Sequence, residues 1–241
     1  MIIYPVIFSL GVLISLLWIG FMSDRKEQLT SPPQGAVNPI DAAFLVIACA
    51  MVGARAFFVG SHWTYYSQHI AESVWFWQGG LSWFGGAIGI FVGILIFAGI
   101  KRKPLGELAD VFAVPLAIVA TASWLGCFLE GCAYGREIST SLTILNAPDL
   151  FGQIAPRWPT QLIGVLYGAF AILILLYFGN RLHRSGSFFL LSVLLISGGL
   201  FGLSLTRGDP ALYYGDFRVD TVAAGMIFTG ALLVMIWRLR R

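Results

Sequence analysis

The chain has 241 residues, of which 58% are hydrophobic and only 11% charged, and its mean hydropathy is +0.82. A water-soluble domain carries about 25% charged residues, and less than half that proportion cannot cover a chain of this size with groups that water solvates. Soluble enzymes, disordered chains and nucleic-acid binders are excluded together, leaving an all-α integral membrane protein as the fold class. The formal net charge of +3 does not imply an acidic partner, because the basic residues sit in short clusters between apolar runs.

A spanning helix needs about 20 mostly apolar residues. The chain offers that length seven times, near residues 2–22, 40–60, 80–100, 109–130, 160–180, 187–206 and 219–237. Residues 1–241 therefore read as a single seven-span membrane domain. The first run has no basic segment before it, is longer than a secretory signal core and is not followed by an A-x-A site, so it is expected to stay in the mature protein. The loop after it, with Ser31, Pro32, Pro33 and Gly35, reads as an irregular connection.

Lys and Arg in the odd-numbered loops and the C-terminus are Arg25, Lys26, Lys101, Arg102, Lys103, Arg181, Arg184, Arg238, Arg240 and Arg241. The even loops hold Arg136, Arg157, Arg207 and Arg218. By the positive-inside rule this asymmetry predicts a multi-pass protein with its N-terminus outside and its C-terminus cytoplasmic.

The second loop, residues 61–79, has no Lys or Arg but contains Trp63, Tyr65, Tyr66, Trp75, Phe76 and Trp77. Such rings prefer head-group level, as ordinary belt anchors or as a segment lying along the interface. Glycines 79, 80, 85, 86 and 89 open the third span, either to bring helices close or to break the helix start so as to admit a lipid.

Arg55, inside the second span, either snorkels to the interface or clamps a head group or pairs inside the bundle, with Glu130 at the same depth as the first partner to test. Asp110 reads as a carboxylate favoured at the start of its own helix. The even-loop arginines either converge on an anionic head group or pair with Glu137, Asp149, Asp209 and Asp216. Cys127 and Cys132 are five apart, which suits two small buried thiols better than an outward disulfide. No C-x-x-C zinc pattern is present and no cofactor is expected.

Taken in order, Tyr4 before Leu10-Gly11, Val52-Gly53-Ala54-Arg55, Gly79-Gly80-Leu81-Ser82 before Gly85-Gly86, Asp110 with Pro115, the run Gly126 to Arg136, Arg157-Trp158-Pro159-Thr160-Gln161-Leu162 and Arg207-Gly208-Asp209-Pro210 resemble the bacterial prolipoprotein diacylglyceryl transferases along essentially the whole chain. The resemblance implies seven spans with an outside N-terminus. It implies transfer of diacylglyceryl from phosphatidylglycerol to the thiol of a lipobox cysteine, releasing glycerol phosphate. Partners implied are a phospholipid, a lipobox-containing preprotein or another membrane protein, and no nucleic acid.

The chain departs from the family pattern where the chemistry would sit. Phe84 stands for the histidine before Gly85-Gly86, Trp124 for the signature arginine, Cys127 and Glu130 for its asparagines, Cys132 for its glutamate, and Trp158 for the histidine of R-H-P. Anchored on Arg207, the R-x-x-x-E of the sixth span falls on Leu200 and Ser204. The resemblance thus leaves Tyr4, Glu130 and Cys132 as catalytic candidates. Arg55, Glu130, Arg136, Arg157 and Arg207 are the candidates for lipid head-group binding. It leaves two functions: a degenerate transferase, weakly active or inactive, or a non-catalytic lipid-binding scaffold or accessory subunit.

Overall fold

The computed structural model describes residues 3–29, 38–139, 146–149, 151–179, 181–182 and 184–240. The connection at Ser31 to Gly35 lies outside the described residues. Among the described residues seven helices are long and apolar enough to cross a membrane: Ile3–Ser23, Pro39–Ser61, Trp83–Lys101, Leu105–Glu130, Thr160–Phe178, Ser187–Ser204 and Val219–Arg238. Each coincides with one of the seven runs read from the sequence, and large side chains such as Leu17, Val52, Leu166 and Leu233 stay exposed on them. That distribution fits lipid as the solvent, and the chain is a multi-pass membrane protein.

In chain order the helices are α1 (Ile3–Leu29), α2 (Pro39–Ser61), α3 (Trp63–Tyr66), α4 (Trp83–Lys101), α5 (Leu105–Val111), α6 (Ala113–Glu130), α7 (Thr160–Phe178), α8 (Ser187–Ser204) and α9 (Val219–Arg240). Two short antiparallel hairpins interrupt them, β1 (Asn146–Pro148) with β2 (Ile154–Pro156), and β3 (Tyr213–Tyr214) with β4 (Phe217–Arg218). The chain divides into two compact units, Ile19–Ala109 and the remainder, which are described separately.

In the Ile19–Ala109 unit, Asn38 caps α2 by accepting from the Ile40 N–H at 3.0 Å, and Pro39 occupies the first turn, where its missing donor costs nothing. The α4 glycines serve close packing. A Cβ on Gly89 would come within 2.8 Å of Ala50 Cα, and one on Gly93 within 2.9 Å of Val46 Cα. Without side chains there, the backbones of α2 and α4 meet directly, the small-residue solution to helix association in lipid. Ala42 and Ile94 are completely enclosed beside this seam.

The other unit is built around Val114, Ala117 and Leu175, packed by Trp18, Ile118, Ile172, Phe188 and Leu191. Its fourth span is broken at Phe112, between α5 and α6. Pro115 explains the break: it offers no N–H to the Val111 carbonyl and its ring clashes there. Buried hydroxyls are satisfied across helices, Ser192 donating to the Ala113 carbonyl at 2.6 Å and Tyr167 to the Leu195 carbonyl at 2.7 Å. Asp110 does not serve its own helix. Its carboxylate accepts from the N–H groups of Gly186 at 2.6 Å and Phe189 at 2.8 Å, so it caps the start of α8.

The reading of Cys127 and Cys132 as two thiols is corrected. They are joined in a disulfide with their Cα atoms 4.6 Å apart. Gly131, in the left-handed region at φ 81°, ends α6 and turns the chain back so that position 132 approaches the last helical turn. Five residues along a continuous helix would not meet; the turn supplies what the spacing lacks.

Candidate functional site

The family-like residues of the larger unit collect at the end of α6. Gly131 leads into Ala133, whose φ of 51° is costly for a residue with a Cβ, and the strand-like run that follows is held from both sides. Gly135 bridges Arg207 and Glu137 bridges Arg157 in antiparallel fashion. The Arg136 N–H donates to Thr206 O at 2.9 Å, the Gly208 N–H to Tyr134 O at 2.8 Å, and the Trp158 N–H to Arg136 O at 3.1 Å. The loops after α6 and after α8 therefore fold together.

Thr160 and Gln161 complete this scaffold from the first turn of α7. The Thr160 hydroxyl lies 2.9 Å from that of Thr206, and the Gln161 amide donates to Cys132 O at 2.8 Å. Both side chains are buried, so the Pro-Thr-Gln run works as a strut for the turn after α6.

The arginines are largely committed to carboxylates. Arg157, 5% exposed, pairs with Glu137 at 3.0 Å and Asp149 at 3.2 Å and stacks over the Tyr134 ring at 4.9 Å. Arg207 meets Asp209 through two hydrogen bonds of 2.8 and 2.6 Å, with Asp220 at 3.5 Å. Burial works against its charge, but the Asp209 hydrogen bonds and the charges of Asp209 and Asp220 hold the guanidinium above its ordinary pKa. Arg218 donates to the Asp209 carbonyl at 2.9 Å and carboxylate at 3.2 Å. Glu137, Asp149 and Asp209 were visible as partners in the sequence. Asp220 was not, since it lies in the first turn of α9. Arg136 is exposed, and its guanidinium has no hydrogen-bond or ion-pair partner among the described residues.

Of the catalytic candidates, Glu130 accepts from the Tyr4 backbone N–H at 2.8 Å, while the Tyr4 hydroxyl lies 3.0 Å from that of Ser123. Cys132 carries no free thiol. Below this end of the helices, Trp124 and Leu200 face the same narrow crevice between α6, α7 and α8, with Gly164, Tyr167 and Gly199 among its walls. The lining is almost entirely apolar. The Trp124 ring lies flat over Gly164, where a Cβ would collide with it, and Tyr167 likewise covers Gly199. Ser204 is buried and spends its hydroxyl on Phe201 O and on Thr221. Trp158 is 40% exposed.

Arg55 has its surroundings in the smaller unit. It donates to the carbonyls of Glu72 at 2.6 Å, Ser73 at 2.8 Å, Gly79 at 2.8 Å and Gly80 at 3.1 Å, between the rings of Phe58 and Tyr66. These four carbonyls lie in the same unit as Arg55, and Glu130 accepts the Tyr4 N–H in the other. Nearby, a 2.8 Å hydrogen bond to the Glu72 carboxylate raises the Tyr65 pKa. Phe84 packs edge-on against Phe57. Among the described residues no three His, Cys, Asp or Glu side chains are grouped to hold a metal ion.

Comparison with known proteins bears on the whole length. The chain is 30% identical over 241 residues to a phosphatidylglycerol–prolipoprotein diacylglyceryl transferase of Listeria monocytogenes serotype 4b, covering 98% of this chain and 84% of that protein. It is 28% identical to the transferase of the same name from Bacillus velezensis, with 98% and 87% covered. It is 27% identical to one from Limosilactobacillus reuteri, with 98% and 86% covered. The family profile described as prolipoprotein diacylglyceryl transferase matches residues 1–237, taking in all seven spans and both arginine-bearing loops, and the chain belongs to that family.

Proposed function

We propose that this chain is a phospholipid-binding member of its family with little or no diacylglyceryl transferase activity, inserted with its N-terminus outside and its C-terminus cytoplasmic. The observation that carries the reading is the apolar crevice shared by Trp124 and Leu200, at two positions where the resemblance calls for arginine. Transfer from phosphatidylglycerol requires an activated thiolate and stabilisation of a departing glycerol phosphate. An indole ring and a leucine cannot supply charge-assisted hydrogen bonds to that phosphate. Losing one such donor costs about 10²–10³ in rate. Cys132, held in a disulfide, cannot serve as the base that activates the substrate thiol, and Arg157 and Arg207 already hold carboxylates.

The aromatic rings of Trp124 and Tyr167 fill the crevice, so a lipid would lie against the exposed apolar faces of the spans, with phosphatidylglycerol as the ligand that family membership suggests. Of the head-group candidates, Arg136 is the one whose guanidinium has no partner among the described residues and can meet a phosphate. The test is purified protein incubated with phosphatidylglycerol and a lipobox peptide, followed by mass spectrometry for the thioether. No product is expected. Turnover in the ordinary enzyme range of about 1–10³ s⁻¹ would overturn the reading.

The family match over residues 1–237 favours a second reading, a transferase with a relocated base. In that case Glu130→Gln would abolish product formation while Cys132→Ser would spare it. Orientation is tested separately, in a Cys49→Ala background, with single cysteines at Lys101 and Asp216. The first should react with an impermeant maleimide only after permeabilisation, the second without it; the reverse pattern rejects the topology.

A further inference from the structure

We propose that residues 62–82 form a platform lying in the interfacial layer of the bilayer, with lipid as its partner, and that Arg55 is the residue that makes this position tolerable for the segment. Both ends are fixed at one membrane boundary, because α2 ends at Ser61 and α4 begins at Trp83. Between them there is no Lys or Arg, and Glu72 is the single acidic residue. Trp63, Ile70, Val74 and Trp77 are 60 to 70% exposed, and Phe76 and Leu81 are exposed beside them. A surface of that kind, continuous with two spanning helices and free of Lys and Arg, has lipid as its fitting neighbour.

The obstacle is the backbone. After the single turn of α3 the segment runs through two short 3₁₀ turns, Ile70–Val74 and Phe76–Gln78, and such irregular structure leaves carbonyls without intrahelical donors. Lipid-facing irregular backbone does not persist with those groups unsatisfied. Here the carbonyls of Glu72, Ser73, Gly79 and Gly80 turn toward one guanidinium, which is itself 8% exposed. Positive φ at Gly79 and Gly80 permits that turn, and a Cβ on Gly80 would stand 2.9 Å from Arg55 Nη1. The planar fork of arginine reaches four acceptors at once, which a lysine ammonium with three donors cannot do. The remaining acidic group is tied down as well, since Glu72 accepts the Tyr65 hydroxyl. The carbonyls of Glu72, Ser73, Gly79 and Gly80 thus point inward while the large apolar side chains point outward, an arrangement that a water-facing loop does not require.

The test uses the full chain with Cys49→Ala, reconstituted in vesicles of phosphatidylethanolamine and phosphatidylglycerol. Spin labels are placed singly at Ile70, Val74 and Trp77, with Asp216 as the aqueous reference. Collision rates with oxygen and with a polar nickel chelate are then compared. The expected result is a rise in the oxygen rate and a loss of the chelate rate at positions 70, 74 and 77 relative to 216. Chelate rates equal to those at position 216 would overturn the proposal, as would protection from both relaxants, which would indicate a protein covering the surface. In Arg55→Lys the labels should shift toward the aqueous pattern with the spans still folded. Unchanged lipid-like collisions in that variant would remove Arg55 from the account.

Discussion

Asp110 and Phe189 are 79 residues apart, yet the carboxylate of one accepts the backbone N–H of the other at 2.8 Å. The second oxygen takes the Gly186 N–H, so one side chain satisfies two of the free donors at the start of α8. Asp110→Ala should destabilise the protein by about 0.5–2 kcal/mol, the usual cost of removing a cap, and Asp110→Asn by less. Denaturant unfolding in detergent, followed by loss of helical circular dichroism, measures both.

Asp209 is shared by Arg207 and Arg218, and removing it strips a carboxylate from two largely buried guanidiniums. Breaking a buried pair from one side costs about 3–5 kcal/mol when the remaining charge is left alone, and here Asp220, 3.5 Å from Arg207 and 3.8 Å from Arg218, offsets part of that loss. Asp209→Ala is therefore expected to lose far more stability than Glu137→Ala, whose exposed carboxylate shares Arg157 with Asp149. The comparison of the two variants by thermal unfolding checks the ordering.

Two glycines of α4 should respond to alanine with opposite signs. A Cβ on Gly89 meets backbone atoms of Cys49 and Ala50, which cannot yield, and overpacking of that kind costs about 1–3 kcal/mol. A Cβ on Gly99 meets nothing within 4 Å, so Gly99→Ala should gain stability, by up to about 1 kcal/mol from helix propensity. Equal effects in the two variants would mean that the α2–α4 contact is looser than its geometry.

Denatured, unreduced protein should bind one equivalent of maleimide, at Cys49, because the other two cysteines are paired. After reduction all three should react. Mass spectrometry of the intact chain reads the difference, and three equivalents before reduction would refute the bond.

The seven spans were legible because lipid imposes a length and a composition that any continuous apolar run displays. The pairing of the two arginine-bearing loops was legible in part, since charges are rare at this end of the helices. The partners of Asp110 and Arg55 were not, for opposite reasons. Asp110 works on a helix from a distant part of the sequence, where no periodicity points. Arg55 uses backbone carbonyls, and every residue has one, so sequence offers nothing to select four of them. The cysteine pair was legible only as an alternative, because the spacing allows a disulfide only if the turn after Glu130 brings position 132 back, and residue types alone do not show which way that turn runs.

The bond between Cys127 and Cys132 ties maturation of the chain to oxidation. Thiols leave the ribosome reduced, and disulfides form and persist in oxidising compartments. The N-terminal helix begins beside this turn, as the Tyr4 N–H on Glu130 records. The start of the chain and the oxidised cysteines therefore share one side of the membrane. In the proposed orientation that side is the one where thiol oxidants operate, and formation of the bond would follow insertion of the spans. A cell lacking those oxidants would accumulate a fully inserted chain with its seven spans in place and the turn after α6 unlocked.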